Sequence, residues 1–194
     1  HSLNSKPELI IIKARNTAQG WATYHASVGA NKFLQLDTTG AGVSYGGFMN
    51  NTEPTTSVFS LGNDNFVNLG WNYVAYCFAP VEGYSAFGSY EGNGSTNGPF
   101  VYTGFRPKWI IIKNVDNSGS GYDWHIHDTE RDPSNVSDSY LSANTSSSEQ
   151  TYAVIDILSN GFKLRNSGGS YNLNAHTHIY AAFAEHPFKT ARAR

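Results

Sequence analysis

The chain has 194 residues, enough for one large β-domain or two small ones. Charged residues make up 14 % of the chain and the net charge is −2, which excludes a strong attraction to nucleic acid or to an anionic membrane. No apolar run approaches the roughly 18 residues of a membrane-spanning helix, so no membrane insertion is predicted. Aromatic residues at 14 % and 19 glycines are typical of short strands joined by tight turns.

Two similar halves organise the chain, because five blocks of residues recur in the same order. The first block, PELIIIK from Pro7, returns as PKWIIIK from Pro107. The matched blocks are 7–13 and 107–113, Trp21 and Trp124, 33–38 and 140–145, 58–66 and 154–162, and 73–79 and 178–184. Five blocks in one order indicate an internal duplication.

Each block predicts a β-strand. Residues 9–13 and 109–113 are short β-branched runs, typical of strands that are buried on both faces. Residues 21–25 and 124–128 alternate between apolar and polar, as half-buried strands do. Residues 159–161, Ser-Asn-Gly, predict a turn between two further strands. No segment shows a helical period over three turns, so the predicted fold class is all-β.

The duplication and the composition predict two tandem β-sandwich halves of the jelly-roll or concanavalin-like kind. We expect the first half to span residues 1–88 and the second to span residues 89–194, with a Gly/Asn/Ser-rich loop at 91–99 near the boundary. The first half has fewer predicted strands, which suggests a chain cut from a longer polypeptide. The basic segment 189–194 is expected to be a frayed end or a junction.

Aromatic residues beside Asn, Asp and Gly predict a sugar-binding surface, because sugar C–H faces stack on rings while amides and carboxylates bond hydroxyls. Trp71 and Tyr171 lie in polar loops and are predicted to be exposed. Trp124 matches Trp21 and is either a core anchor or a ligand-binding residue. The candidate ligand-binding residues are Trp71, Tyr122, Trp124, Asn135, Tyr171 and Asn172, with Trp21, Tyr24, Asp123 and Asn166 as further candidates.

Two His-x-His pairs are candidate metal ligands, because positions i and i+2 of a strand share one face. The pairs are His125 with His127 and His176 with His178. The first copy of the repeat has no matching pairs, so ordinary polar strand faces are the alternative. A divalent metal is therefore one hypothesis, and no cofactor is the other.

Catalytic patterns are weak in this sequence. No Gly-x-Ser-x-Gly nucleophile elbow and no phosphate-binding glycine loop is present. The acidic cluster Asp128, Glu130 and Asp132 with Arg131 is predicted to form a solvated turn. Cys77 lies in an apolar run and is predicted to be an inert buried thiol. We therefore predict no catalytic residue.

Several segments resemble a sequence type of tail-fibre and structural proteins from marine bacteriophages. They are VAYCFA at 74–79, VEGYSAFGSYEGNG at 81–94, GPFVYTGFRP at 98–107, LSNGFKL at 158–164 and AFAEHPFK at 182–189. The resemblance implies a lectin-like β-sandwich module on the extracellular face of the virion. It also implies other virion subunits as partners, including copies of the same chain in a homotrimer.

Three functional hypotheses remain at this point. The first is a non-catalytic module of a phage tail fibre that binds a host-surface glycan. The second is a purely structural virion component whose halves pack against neighbouring subunits. The third is a glycan-degrading enzyme on a β-sandwich scaffold, which would need two carboxylates across one cleft.

Overall fold

The computed structural model describes residues 1–185, so the predicted basic end at 189–194 lies outside the described residues. Its first elements are five strands and one short helix. They are β1 (Leu9–Ala14), β2 (Ala22–His25), β3 (Lys32–Gln35), β4 (Val43–Ser44), α1 (Gly46–Met49) and β5 (Tyr73–Phe78). We call β1 to β5, with their loops, the first half.

Eight strands and a second short helix follow and form the second half. They are β6 (Ser85–Glu91), β7 (Phe100–Tyr102), β8 (Pro107–Asn114), β9 (His125–Asp128), β10 (Ser137–Ser142), β11 (Gln150–Leu158), β12 (Gly161–Leu164), α2 (Gly169–Asn172) and β13 (Thr177–Ala184). The turn predicted at 159–161 joins β11 to β12 and is confirmed. No helix among the described residues is long and apolar enough to span a membrane.

The strands form two antiparallel sheets that pack as a β-sandwich, so the all-β prediction is confirmed. The first half forms a five-stranded sheet in the order β4-β3-β2-β1-β5. The second half forms an eight-stranded sheet in the order β6-β13-β8-β9-β10-β11-β12-β7. This second sheet curls towards a barrel, and the Tyr180 hydroxyl of β13 donates to the Tyr102 carbonyl of β7 at 3.5 Å.

The duplicated blocks pair with their neighbours in the same register in both halves. β1 lies between β2 and β5 as β8 lies between β9 and β13. The equivalent paired residues are Leu9–Phe78 and Trp109–Phe183, Ile10–Tyr24 and Ile110–His127, and Thr23–Leu34 and Ile126–Leu141. Four strands of each half therefore share one framework.

β1 and β8 are buried on both faces, as their apolar runs predict. In β1, Ile10 and Ile12 pack in the first half's own core, whereas Leu9 and Ile11 face the other sheet. β8 repeats the arrangement with Ile110 and Ile112 inside the second half and Trp109 and Ile111 between the sheets. Alternation along each strand thus produces three apolar clusters, one inside each half and one shared.

The predicted strand at 58–66 is wrong, because this segment forms loops and turns. By register, the counterpart of β11 is instead the two-residue strand β4: Phe33 pairs with Val43 as Tyr140 pairs with Gln150. After β4 the chain turns into α1, which places Phe48 in the first core. Residues 79–84 connect the first sheet to the second sheet, in which β6 pairs with β13. The division into separate domains at residue 88 stays a prediction.

Candidate functional site

A pocket of about 220 Å³ lies in the second half, beside β9, β10 and β11 and two loops. One loop precedes β9 and the other leads into α2. We call it the His125 pocket, and its lining consists of Gly121, Asp123, His125, Tyr140, Tyr152, Asn166, Gly168, Gly169, Ser170 and Tyr171. It brings together predicted sugar-binding residues and one predicted metal ligand.

Side-chain to backbone hydrogen bonds hold the two loops together. The Ser170 hydroxyl donates to the carbonyl of Gly121, which joins one loop to the other. The Asn166 side-chain oxygen accepts from the Gly168 amide. A Cβ at Gly169 would lie 2.9 Å from the hydroxyl of Tyr122, so a larger residue here would have to displace the Tyr122 side chain. The loop geometry is therefore fixed by short-range contacts.

His125 is a buried polar group whose hydrogen bonds are not satisfied. Its residue is 3 % exposed, and neither ring nitrogen has a hydrogen-bond partner within the described part of the chain. Burial lowers the pKa of His125 to about 4, although the Asp123 charge and the Gly121 backbone act in the opposite direction. The imidazole is thus neutral at pH 7, and apart from a weak interaction with the Gly121 backbone its donor and its acceptor are unused.

Two tyrosine rings enclose this imidazole. Tyr171 stacks on His125 with ring centroids 4.6 Å apart, and Tyr140 meets it edge-on at 4.9 Å. The Tyr171 hydroxyl is held at 3.0 Å from Nε2 of His127. Burial raises the pKa of both tyrosines, so their hydroxyls stay protonated. Tyr152, by contrast, is 55 % exposed and contributes an accessible ring to the pocket.

Asp123 supplies the negative charge of the pocket. One of its oxygens accepts from the Asn144 side chain at 2.6 Å, and Asn144 in turn accepts from the Trp124 backbone at 2.9 Å. The second oxygen accepts no hydrogen bond from the described residues. Asp123 is therefore positioned by one oxygen while the other remains available to a ligand.

Two of the predicted amide ligands have structural roles. Asn172 is fully buried, its Nδ2 donates to Asn93, Ser95 and Asn166, and its Oδ1 accepts from the Asn93 amide. The side chain of Asn135 donates to the Ile157 carbonyl at 3.0 Å and accepts from the Ile157 amide at 2.8 Å. It therefore makes the hydrogen bonds that a neighbouring strand would make with β11. Their amide groups are therefore already used inside the fold, and their roles in ligand binding stay predictions.

The predicted aromatic residues are distributed over the molecule. Tyr171 is 3 % exposed, so its predicted exposure is wrong, because α2 turns the ring onto His125. Trp124 is buried between the sheets, where its Nε1 donates to the Gln35 carbonyl at 2.9 Å, and is therefore a core anchor. Tyr122 lies just outside the lining, against Gly169. Trp71 lies in the first half, away from the pocket lining.

The two other aromatic candidates also belong to the first half. Tyr24 is buried and donates to Glu53 at 2.6 Å. Trp21 is half-buried under the ammonium group of Lys13, which lies 5.9 Å from the ring centroid. Cys77 is half-buried against the first core, and burial raises the pKa of its thiol, which agrees with an inert cysteine.

The His-x-His pairs are not grouped with a further metal ligand in the described part of the chain, and their role as metal ligands stays a prediction. Among residues 1–185, no three His, Cys, Asp or Glu side chains are grouped closely enough to hold a metal ion. His178 is buried and stacks on Tyr90 with centroids 5.1 Å apart, while His176 lies 3.3 Å from the Asn117 amide. The first pair, His125 and His127, lies inside the second half. The alternative interpretation, polar positions of strands, fits better, although three of these four histidines are buried.

Sequence reasoning missed Tyr140, Tyr152 and Ser170. Tyr140 pairs across from Gln150, and Tyr152 lies two residues further along β11, so both tyrosines share one sheet face. The two-residue spacing of Gln150 and Tyr152 is visible in the sequence. It would have placed both tyrosines on one face if the pairing of β10 with β11 had been predicted. Ser170 carried no comparable signal, because its place depends on the α2 loop.

The comparisons with known proteins concern the whole chain rather than the pocket. The profile of a family described as a domain of unknown function (DUF7483) matches residues 1–187. No curated protein and no solved structure shows significant similarity to the chain. The family profile spans both copies of the duplicated blocks and nearly the full sequence. The chain therefore belongs to the DUF7483 family.

Proposed function

We propose that this chain is a non-catalytic carbohydrate-binding module whose binding site is the His125 pocket. The observation that carries the proposal is the neutral imidazole of His125, which is buried beside the pocket with both nitrogens unpaired. Leaving a buried polar group without a partner costs about 1–3 kcal/mol. A sugar hydroxyl can both donate and accept, so it suits this group, and it reaches the buried nitrogens once the rings that cover them move.

The rest of the lining suits a sugar ring. Tyr152 offers an accessible aromatic face for the C–H side of a pyranose, and Tyr140 lies next to it on the same sheet face. The free oxygen of Asp123 accepts from hydroxyls. Asn166 uses its oxygen on Gly168, which leaves its amide nitrogen to donate. Donors, acceptors and rings therefore surround one small space, as in shallow sugar sites.

Binding fits this pocket better than hydrolysis does. Glycoside hydrolysis generally uses two carboxyl groups on opposite sides of the scissile bond. Among the residues that line the pocket, Asp123 is the one carboxylate. Tyr140 and the neutral His125 supply hydrogen bonds rather than a second acid. The module is therefore proposed to recognise a glycan without cleaving it.

The setting proposed for this module is a bacteriophage tail fibre, on the strength of the sequence resemblance alone. A fibre presents several copies of its modules, so weak contacts with a host-surface glycan add up through effective concentration. A homotrimer would place three His125 pockets on one fibre. The proposed partners are thus a host glycan and other virion subunits.

The test is an array of bacterial and algal surface glycans, followed by calorimetric titration of any ligand found. Tyr152→Ala is expected to weaken binding about 3- to 10-fold through the lost stacking contact. Asp123→Asn keeps an oxygen for Asn144 and is expected to weaken binding about 10-fold or more, because hydrogen bonds to charged groups are stronger. Tyr102→Ala is the matched control, since Tyr102 is 66 % exposed and lies outside the pocket.

The outcomes separate the hypotheses. A selective ligand lost in both pocket variants but retained by Tyr102→Ala supports the proposal. Equal losses in all three variants, or a ligand unaffected by any of them, contradict it. An array that stays blank with a trimerised form of the protein contradicts glycan recognition and favours the second candidate.

The second candidate is a structural virion component, and one observation favours it. β7 is an edge strand, and it exposes Phe100 at 45 % and Tyr102 at 66 %. Exposed aromatic side chains on an edge strand are suited to packing against a neighbouring chain. Light scattering of the wild type and of Tyr102→Asp measures this directly: an oligomer that dissociates in the variant supports assembly through β7.

A further inference from the structure

A second space lies between the two sheets, away from the His125 pocket. Its volume is about 250 Å³. β1 and β2 form one wall, and β8, β9 and β13 form the other, with Ile11 facing Ile111, Ile126 and Ile179 across the gap. Ile11 and Ile126 are only half-buried although they point between the sheets. The shared cluster is thus less filled than the cores inside each half.

The polar groups on these walls are already satisfied. His25 lies 3.1 Å from the Tyr180 carbonyl through Nε2, and its Nδ1 accepts from the Ser27 amide at 3.2 Å. Trp124 donates to the Gln35 carbonyl, and the Thr23 hydroxyl donates to the Trp21 carbonyl. No lining residue among those described has an unpaired buried side-chain nitrogen or oxygen.

These facts decide what can occupy the space. A buried water needs about two to four polar partners, and these walls offer none that are free. An apolar cavity of about 150 Å³ is known to stay dry and to bind benzene. This cavity is larger, at about 250 Å³, and the rings of Trp109 and Trp124 form part of its wall. The space therefore suits an uncharged molecule larger than benzene.

We propose that the space between the sheets is a binding site for a small apolar molecule of about two fused rings, which we call the inter-sheet site. Leu36 and Ala143 line both this site and an adjoining depression with Trp21 and Asp37. That depression is the side from which a ligand enters. The site is independent of the His125 pocket, because the two share no lining residue.

The test uses indole as the probe, with calorimetry for affinity and methyl NMR for location. Indole is expected to bind in the micromolar to millimolar range and to shift the methyl signals of Ile111 and Ile179. Ala181 lines the site and is 2 % exposed, so Ala181→Leu fills the space and is expected to weaken binding at least 10-fold. Ala75→Leu is the control, because it adds the same volume at an exposed position of β5.

Thermal unfolding separates a filled site from a damaged fold. Ala181→Leu is expected to keep or raise the midpoint temperature, because the added carbons enter empty space. If it unfolds instead, Ala143→Leu at the entrance takes its place and is expected to block the probe in a folded protein. Binding that survives in both folded variants, shifts confined to residues outside the site, or no binding by the wild type would overturn the proposal.

Discussion

The interiors of the two halves differ at equivalent positions of the same strands. In the first half, Phe33 of β3 lies in a cluster of rings, with centroids 5.2 Å from Phe48 and 5.0 Å from Phe66. In the second half, Tyr140 of β10 takes the place of Phe33, and His125 of β9 takes the place that Ala22 has in β2. The first half packs aromatic rings at these positions, and the second half has a polar pocket there.

The difference shows how a duplicated framework can acquire a site. An aromatic cluster needs no hydrogen-bond partner, so the first half is complete without a ligand. His125 breaks the rule that buried polar groups are paired, and such departures are concentrated at functional sites. The strands are held in register elsewhere, so the second half tolerates an unsatisfied group at this one position.

Acidification is expected to have the largest effect, because four histidines are buried as neutral imidazoles. Burial lowers the pKa to about 4 in His25, His125 and His178 and to about 3 in His127. An imidazole in the unfolded chain has a pKa of about 6.5, so the unfolded state binds more protons than the folded state between roughly pH 6.5 and pH 4. The free energy of unfolding should fall there as pH drops, by at most about 1.4 kcal/mol per pH unit and histidine.

Urea unfolding from neutral pH to about pH 5 measures the total effect. A comparison of the two halves gives a more specific test, since three of these four histidines lie in the second half and only His25 lies in the first. The protection factors from amide hydrogen exchange should therefore fall earlier in β9 and β13 than in β2 as pH falls. Unchanged stability down to about pH 5 would contradict the burial of neutral imidazoles.

Removing the aromatic filling of the first half should produce the next largest effect. Phe48 is fully buried on α1, and Phe48→Ala is expected to cost about 3–5 kcal/mol through lost burial and the cavity left behind. Urea unfolding gives the value. Val58→Ala is the control, since Val58 is 58 % exposed and should change stability by less than about 0.5 kcal/mol. Similar values for both variants would show that α1 does not fill this core.

The shared framework was predictable because it depends on local patterns. The β-branched runs after Pro7 and Pro107 and the alternating segments at Trp21 and Trp124 encode buried and half-buried strands directly. The segment from Val58 was misassigned because its apolar residues resemble β11, although they pack against the core from a loop. Similar composition at a similar position does not determine pairing when the neighbouring strand is shortened to β4.

The pocket was predictable only in part. The sequence indicates Asp123 as a sugar-binding residue, because it is a polar residue among aromatics. It indicates His125 only as a metal ligand. The burial of Tyr171 was not predictable, since it depends on a four-residue helix that turns the ring inward. The structural role of Asn172 was not predictable for a related reason, because its amide bonds to a residue far away in the sequence. Long-range contacts of loops decide which polar groups remain free.

Replacing the unpaired imidazole of the second interior by an apolar ring should change stability by an intermediate amount. His125→Phe replaces an unpaired buried imidazole by an apolar ring and is expected to stabilise the protein by about 1–3 kcal/mol, while abolishing glycan binding. His127→Phe is expected to destabilise it by about the same amount, because it leaves the buried Tyr171 hydroxyl without its partner. Urea unfolding compares the two variants, and equal signs would contradict the assignment of His125 as unsatisfied.

The smallest effects should come from a hydrogen bond that both halves repeat. The Trp21 amide donates to Asp37, and the Trp124 amide donates to Asn144, each at 2.9 Å. Asp37→Ala and Asn144→Ala are each expected to cost about 1 kcal/mol, measured by urea unfolding. Asp37→Asn should cost less, because its amide oxygen still accepts as that of Asn144 does.

Glycan affinity distinguishes the two positions further. Asn144 also donates to Asp123 at 2.6 Å, so Asn144→Ala frees the carboxylate of the His125 pocket, whereas Asp37→Ala leaves the pocket unchanged. Calorimetric titration should therefore show weaker glycan binding for Asn144→Ala alone. If both variants lose stability equally and neither loses affinity, the repeated hydrogen bond serves only the framework, and Asp123 is positioned by other contacts. If affinity falls only with Asn144, one duplicated contact supports folding in both halves and ligand binding in one.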